Sequence, residues 1–196
     1  IELLRRGYDN PPSIVACGPI GADCHDIGRG ELRTGQPCMI DVFPRSRSTL
    51  YNGDCTRTVV HGTVPPIVAR MFDAVIKAKR AAEQAVLAGS TGDLVHQATI
   101  DVLKSFGVLV GQVPQDASAD QLFIPHGTGH GIGLDLKEPP LLDFKGVELV
   151  DGDCVTIEPA VYALGVGGVR IEDMYIVRQD RADNLNELPE LIGPAH

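Results

Sequence analysis

The hydrophobic period of this sequence changes from two to 3.6 residues near residue 65 and later changes back to two. The segments with strand-like alternation cover residues 13–16, 39–43, 56–60, 153–158 and 169–177. Between the third and fourth of these, apolar residues recur every three or four positions over 65–88 and 94–106, which predicts two helices. Strands, then a helix pair, then strands predict an α+β domain.

Proline and glycine mark the predicted helix boundaries. Pro65 begins the first helix and Gly89 ends it. Ser90 and Asp93 have the spacing of a capping box, so they predict the start of the second helix. The core stripe predicted for this helix consists of Leu94, Ala98, Val102 and Phe106. Residues 107–126 predict a loop.

Charge and cysteine content disfavour several classes of protein. Seventeen Lys and Arg against 26 Asp and Glu give a net charge of −9, so a nucleic-acid partner is not expected. The basic clusters 5–6, 45–47 and 77–80 predict solvated surface. No apolar run approaches the roughly 20 residues of a membrane span. The five cysteines are widely spaced, which predicts free thiols in the cytoplasm rather than a disulfide framework.

Four carboxylates occupy strands or strand ends. They are Asp41, Asp54, Glu158 and Glu172. Asp41 lies inside an apolar strand, where an unpaired charge is costly to bury. Alternation in the last strand places Arg170 and Glu172 on one face. Each carboxylate alone is also compatible with a turn or an ordinary ion pair.

A glycine-rich segment adds two histidines to this set. His126 and His130 flank Gly127-Thr128-Gly129, and four glycines within residues 126–133 argue against a helix. In an extended chain both imidazoles point to the same face, although each alone could be an ordinary loop histidine. Four carboxylates and one imidazole suit a pair of divalent ions better than a single zinc ion.

In this order and spacing the motifs resemble the pita-bread metallopeptidases: methionine aminopeptidase, Xaa-Pro aminopeptidase and prolidase, with creatinase as a metal-free relative. The matching motifs are Ile40-Asp41-Val42, Gly53-Asp54-Cys55-Thr56-Arg57-Thr58, His126-Gly-x-Gly-His130, Ile157-Glu158-Pro159 and Arg170-Ile171-Glu172-Asp173. The resemblance implies a pseudo-twofold, curved antiparallel sheet flanked by helices. It covers nearly the whole chain.

The resemblance also implies a ligand set for two divalent metal ions. Asp41 would bind one ion, Asp54 and Glu172 would bridge both, and His130 and Glu158 would complete the second. The implied ions are Mn, Co, Fe or Zn, with Mn favoured. The implied chemistry is attack of a bridging hydroxide on the scissile carbonyl of a peptide.

Further roles follow from the same resemblance. Glu158 would shuttle protons, while His126 and His25 match substrate-contacting histidines of the catalytic site. His126 and Arg170 favour the Xaa-Pro branch, which removes an N-terminal residue next to proline. Lys137 stands where the family usually has a histidine that stabilises the tetrahedral intermediate. An ammonium can donate a hydrogen bond to an oxyanion, so Lys137 is predicted to contact the substrate.

Two alternatives stay open at this point. One is methionine aminopeptidase, and the other is a non-peptidase member, either a creatinase-like hydrolase or a binding protein, which Lys137 motivates. Residues 1–196 are expected to form a single metallopeptidase catalytic domain. Because the chain starts at Ile1 in what reads as a helix stub, the N-terminal helical part of the fold and any preceding domain are expected to be missing. A homodimer that covers the exposed sheet face is also predicted.

Overall fold

The computed structural model describes residues 1–114 and 116–193. Its helices are α1 Glu2–Arg5, α2 Pro66–Ala85 and α3 Gly92–Ser105, with a 3-10 turn at Gly18–Ala22. The first strands are β1 Tyr8–Asp9, β2 Ile14–Cys17, β3 Pro37–Val42, β4 Arg45–Ser46, β5 Cys55–Val60, β6 Leu109–Val110 and β7 Phe123–Ile124. The remaining strands are β8 Gly129–Gly131, β9 Glu138–Leu142, β10 Cys154–Ile157, β11 Ala160–Ala163, β12 Gly167–Arg170, β13 Asp173–Val177 and β14 Ala182–Asn184.

These strands form three sheets and one short pair. The sheet that precedes the helices has the order β2-β3-β5, and β1 pairs with β4 beside it. After the helices, one sheet has the order β12-β11-β7-β6 and another β14-β13-β10-β8-β9. Nearly all pairs are antiparallel, the exception being β6 with β7. The α+β prediction is confirmed. Within the described residues, no helix combines the length and the apolar character that a membrane span requires.

Residues 154–177 form a long β-hairpin, and each of its two arms leaves one sheet and enters another about halfway along its length. β10 pairs with β13 up to Ile157 opposite Asp173, and β11 pairs with β12 from Ala160 opposite Arg170. The prediction of one continuous strand over 169–177 was therefore wrong. The chain leaves one sheet after Arg170 and enters the other at Asp173, so the two intervening residues lie outside both ladders. Two carboxylates of the predicted site lie at this double junction.

The long helix α2 packs across the two sheets that follow it. Its buried side chains are Val68, Met71, Ala74, Val75, Ala78, Lys79 and Ala82. Burial of each large apolar member contributes about 1.5–3 kcal/mol. The apolar stripe was predicted well, but the prediction that Lys79 belongs to a solvated basic cluster was wrong. Lys79 is fully buried because four acceptor groups surround its ammonium.

The buried face of α3 differs from the predicted stripe. Leu94 is 57% exposed, whereas His96 and Thr99 are buried. Each of these polar side chains has a hydrogen-bond partner: His96 contacts Thr128 and Thr99 donates to a carbonyl of its own helix. The predicted stripe contained the wrong apolar residues, because those that α3 buries fully are Val95, Ile100 and Leu103. The N-cap is Thr91 rather than Ser90, because the Thr91 side chain accepts the Leu94 N–H.

Short strands occupy segments that were predicted as loops. Residues 107–126 contain β6 and β7, and β7 pairs with β11 through Phe123 opposite Tyr162. Two-residue strands carry too little alternation to be read from the sequence. Their pairing is what closes the sheet against α2 and α3.

Candidate metal centre

One cavity of about 320 Å³ brings together side chains from both ends of the chain. It contains every residue that the sequence singled out: His25, Asp41, Asp54, His126, His130, Lys137, Glu158, Arg170 and Glu172. Apolar side chains complete the wall, among them Ile14, Phe43, Leu136 and Leu141. The cavity is therefore an acidic, partly apolar cleft between the sheet that precedes the helices and the two that follow them.

Strand register places the first two carboxylates side by side. In β3, Asp41 lies opposite Thr56 of β5, and Asp54 immediately precedes β5. Since side chains alternate along a strand, Asp54 and Thr56 point to the same face as Asp41. Both aspartates are buried.

The double junction of the hairpin supplies Glu158 and Glu172. Glu158 follows β10, and its N–H donates to the Thr128 carbonyl at 2.7 Å. Glu172 precedes β13, and its N–H donates to the Thr56 carbonyl at 3.0 Å. The Thr56 hydroxyl donates to Glu172 Oε2 at 2.6 Å. Departure from the ladders therefore turns both carboxylates into the cavity rather than into a sheet face.

β8 carries His130 against β10 at very short range. A Cβ on Gly129 would lie 2.0 Å from the Thr156 carbonyl oxygen, so this approach requires glycine. The Thr156 hydroxyl accepts the His130 N–H, and His130 Nδ1 lies 2.9 Å from the Gly131 carbonyl. Because a carbonyl only accepts, Nδ1 carries the proton and Nε2 keeps its lone pair.

That lone pair faces the carboxylates. His130 Nε2 is 3.5 Å from Glu158 Oε1 and 4.0 Å from Asp54 Oδ2. Ligand atoms of Asp54, His130 and Glu172 all lie within 4.8 Å of one another. In the part of the chain that the structure describes, Asp41 Oδ1 is buried without a hydrogen-bond partner. An orphaned carboxylate oxygen and a free imidazole nitrogen among carboxylates are the donors that a divalent cation requires.

Burial and mutual repulsion raise the pKa values of three of these carboxylates. Burial, then repulsion from Asp41 and Glu158, raises the pKa of Asp54 to about 8. Burial and Asp41 raise the pKa of Glu158 to about 7, although Arg170 opposes the increase. Burial, Asp54 and Glu158 raise the pKa of Glu172 well above its usual range. Without a cation, these carboxylates favour protonation because they repel one another.

A chain of hydrogen bonds connects Asp41 to the opposite wall of the cavity. Arg170 Nη2 donates to Asp41 Oδ2 at 2.6 Å, and Arg170 Nη1 donates to the Tyr162 hydroxyl at 2.9 Å. The hydroxyl in turn contacts His126 Nε2 at 2.8 Å, while His126 Nδ1 contacts the Gly127 carbonyl. Both imidazole nitrogens are thus engaged inside the protein. Burial and the Arg170 charge lower the pKa of His126 to about 3, so its ring is neutral.

Lys137 and His25 lie at the open side of the cavity. Both residues are exposed, and both line the cavity. His25 Nδ1 is 3.6 Å from the Cys24 thiol. An exposed ammonium and an exposed imidazole can reach a bound molecule but do not touch the carboxylate cluster directly.

Sequence reasoning missed Thr56 and Tyr162. Thr56 shares its side of β5 with Asp54, so alternation within that strand was a usable signal. Tyr162 lies four residues after Glu158 and would share its parity, but the predicted strand ended at Glu158. No local pattern shows that the hairpin arm continues beyond Pro159.

Comparisons with known proteins identify a family that this chain resembles over most of its length. The model of metallopeptidase family M24 matches residues 1–179. Probable dipeptidase PepE of Mycobacterium tuberculosis is 37% identical over 182 residues, which cover 91% of this chain and 45% of that protein. The chain spans about half the length of the curated relatives it matches.

Solved structures give the same result. The prolidase from Pyrococcus furiosus superposes with a TM-score of 0.83 at 27% identity, covering 95% of this chain and 52% of that one. Dipeptidase PepE from Mycobacterium ulcerans has a TM-score of 0.83 at 34% identity, with 97% and 49% covered. These similarities confirm the predicted pita-bread fold.

Proposed function

This chain belongs to metallopeptidase family M24, and from that premise we propose that it forms the catalytic domain of a dinuclear Xaa-Pro peptidase. The reaction is hydrolysis of the bond between an N-terminal residue and proline. Two relatives support this choice by name: a Xaa-Pro dipeptidase of Pyrococcus furiosus and a putative Xaa-Pro aminopeptidase of Mycoplasma pneumoniae. The proposed substrate is a peptide or dipeptide with proline in second position.

One observation carries the proposal: carboxylates and a deprotonated imidazole nitrogen from separate segments converge where, among the described residues, a buried carboxylate oxygen has no hydrogen-bond partner. The proposed ligands are Asp41, Asp54, His130, Glu158 and Glu172. Manganese is the favoured ion, since mostly oxygen donors suit a hard divalent cation. Divalent ions bound at such a site polarise a carbonyl and make water nucleophilic near neutral pH.

The protein's own groups have separate proposed roles. Glu158 is only partly buried and faces the cavity, so its carboxylate can take a proton from the attacking water and return it to the leaving amine. Arg170 donates to the Tyr162 hydroxyl, which in turn contacts His126. These hydrogen bonds hold the neutral His126 ring in a fixed position in the cavity wall, where it would contact the substrate. Exclusion of water by this wall and the apolar lining strengthens the electrostatic interactions in the cleft.

Lys137 and His25 are the proposed substrate contacts at the open side. The Lys137 ammonium can donate a hydrogen bond to the oxygen on which negative charge develops. Its long side chain lets it reach the cavity from an exposed position. His25 can contact the part of the substrate that projects from the cleft.

The test combines metal content with substrate choice. Purified full chain, loaded with Mn²⁺ and analysed by elemental analysis, is expected to hold about two ions and to cleave Ala-Pro faster than Met-Ala peptides. Preferential cleavage of Met-Ala would instead identify a methionine aminopeptidase. Metal binding without peptide hydrolysis would favour the non-peptidase alternative. Failure to bind any divalent ion would refute the proposal. The predicted homodimer is checked on the same sample by size-exclusion chromatography.

A further inference from the structure

A fully buried lysine lies outside the cavity lining, behind the candidate metal centre. Lys79 projects from α2, and its ammonium donates to four acceptors within 3.0 Å. The shortest contacts are to the Tyr175 hydroxyl at 2.6 Å, Glu190 Oε1 at 2.7 Å and Asp173 Oδ2 at 2.8 Å. Lysine is rarely buried completely, so this arrangement calls for a reason.

Asp173 is held from its other side by an arginine that also contacts the metal centre. Arg57 Nη2 donates to Asp173 Oδ1 at 2.6 Å. The same guanidinium donates through Nη1 to the Glu172 carbonyl at 2.7 Å and to the Thr56 carbonyl at 2.9 Å. Lys79 and Arg57 thus donate hydrogen bonds to the two carboxylate oxygens of Asp173. Arg57 also donates to the backbone carbonyl of Glu172, the proposed ligand next to it.

The charges in this cluster balance. Lys79, Arg57 and Arg80 face Asp173, Glu83 and Glu190, three of each sign. A buried ionic cluster of this kind often contributes no more stability than well-packed apolar side chains. Stability alone is therefore a weak reason for placing a charged lysine here.

Glu172 needs external support because of where it lies. It lies between β12 and β13, outside their ladders, and its N–H donates to the Thr56 carbonyl of β5 at 3.0 Å. Its carboxylate accepts the Thr56 hydroxyl at 2.6 Å and offers a ligand atom within 4.8 Å of those of Asp54 and His130. The contacts that hold Glu172 come from β5 and from its neighbour Asp173, which Arg57 and Lys79 fix in turn.

We propose that Lys79 is a positioning residue for the metal centre. Through Asp173 and Arg57 it fixes the backbone of Glu172, and thereby the direction in which the Glu172 carboxylate points. The inference rests on the proposed function, because it takes Glu172 to be a metal ligand. Partners that orient a metal ligand typically change metal affinity by about 10- to 100-fold when removed.

The first test measures Mn²⁺ affinity by isothermal titration calorimetry on the full chain. Lys79→Met is expected to weaken Mn²⁺ binding by about 10- to 100-fold. The matched control is Lys77→Met on the same helix, since Lys77 is exposed and contacts Asp73 and the Phe106 ring rather than any group of the cluster around Asp173. The control is expected to bind Mn²⁺ like the wild type.

A double-mutant cycle shows whether Lys79 acts through Glu172. In a Glu172→Gln background, Lys79→Met is expected to cause no further loss of Mn²⁺ affinity. A merely structural role would lower the melting temperature of the metal-free protein but would leave Mn²⁺ affinity unchanged in the folded fraction. Additive losses in the cycle would contradict the proposed route.

The outcomes separate the two proposals. If the wild type binds no Mn²⁺, the proposed function fails and the inference with it. If the wild type binds Mn²⁺ and Lys79→Met binds it equally well, the inference alone is overturned. Should Lys79→Met not fold, the charge-balanced Lys79→Met/Glu190→Gln variant replaces it, because it leaves no extra buried negative charge. The same 10- to 100-fold loss is then expected.

Discussion

Replacing Asp54 with asparagine should stabilise the metal-free protein at high pH while destroying its affinity for metal. The pKa of Asp54 is raised from 3.8 to about 8 by burial and by the neighbouring carboxylates. One pKa unit corresponds to about 1.36 kcal/mol, so a charged Asp54 costs the metal-free fold about 5–6 kcal/mol above pH 8. The buried asparagine amide would lack some of its hydrogen bonds, which costs the variant about 1–3 kcal/mol of folding free energy. The net gain expected for Asp54→Asn is about 3 kcal/mol.

The sign of this effect depends on pH. The folded protein binds the Asp54 proton more tightly than the unfolded chain, so wild-type stability falls as pH rises from about 4 to 8. The advantage of Asp54→Asn should therefore be near zero at about pH 4.5 and fully developed at about pH 8.5. For a chain of this length, 3 kcal/mol corresponds to a melting temperature about 6–12 °C higher.

The assay is differential scanning calorimetry in EDTA at both pH values, repeated with Mn²⁺. Asp135→Asn is the control, because Asp135 is exposed and does not line the cavity. With Mn²⁺ present the order should reverse, since only the wild type gains ligand-binding energy. An equal melting temperature for the variant and the wild type in EDTA at about pH 8.5 would refute the view that a charged Asp54 destabilises the metal-free fold.

Three further substitutions test other parts of the molecule. Tyr162→Phe removes the hydroxyl between the buried Arg170 and the partly buried His126, and urea unfolding should show a loss of about 1–3 kcal/mol together with a lower kcat/KM. Lys137→Ala should lower kcat on Ala-Pro peptides by about 10²-fold, with partial recovery in Lys137→His; an unchanged kcat would remove Lys137 from the mechanism. Met71→Ala should cost about 2–5 kcal/mol in urea unfolding, whereas Leu94→Ala on the exposed side of α3 should stay within about 0.5 kcal/mol.

The candidate site was largely predictable from the sequence because its residue types and short spacings are local properties. Asp41 inside an apolar strand and His126 and His130 around a glycine-rich segment were visible without coordinates. The site residues that were missed, Thr56 and Tyr162, act through hydrogen bonds to residues far away in the chain. Side chains of ordinary polarity give no signal of such long-range contacts.

The fold was predicted at the level of its class and its two long helices. The first helix was recognised because its buried face is almost wholly apolar. The core face of α3 was misplaced because apolar residues occur on both sides of this helix. Leu94 is exposed, whereas Val95, Ile100 and Leu103 are buried. Two-residue strands such as β6 and β7 are too short to show a period at all.

By itself the sequence determined which residue types are available for chemistry and in what order they occur. Only the tertiary structure decided how they meet. The hairpin bends at both arms, which turns Glu158 and Glu172 out of their ladders, and Arg57 reaches across 116 residues to Asp173. The burial of Lys79 likewise depends on acceptors from α2, β13 and the segment near Glu190. Pairing and charge compensation between distant segments depend on three-dimensional contacts, so no local pattern could reveal them.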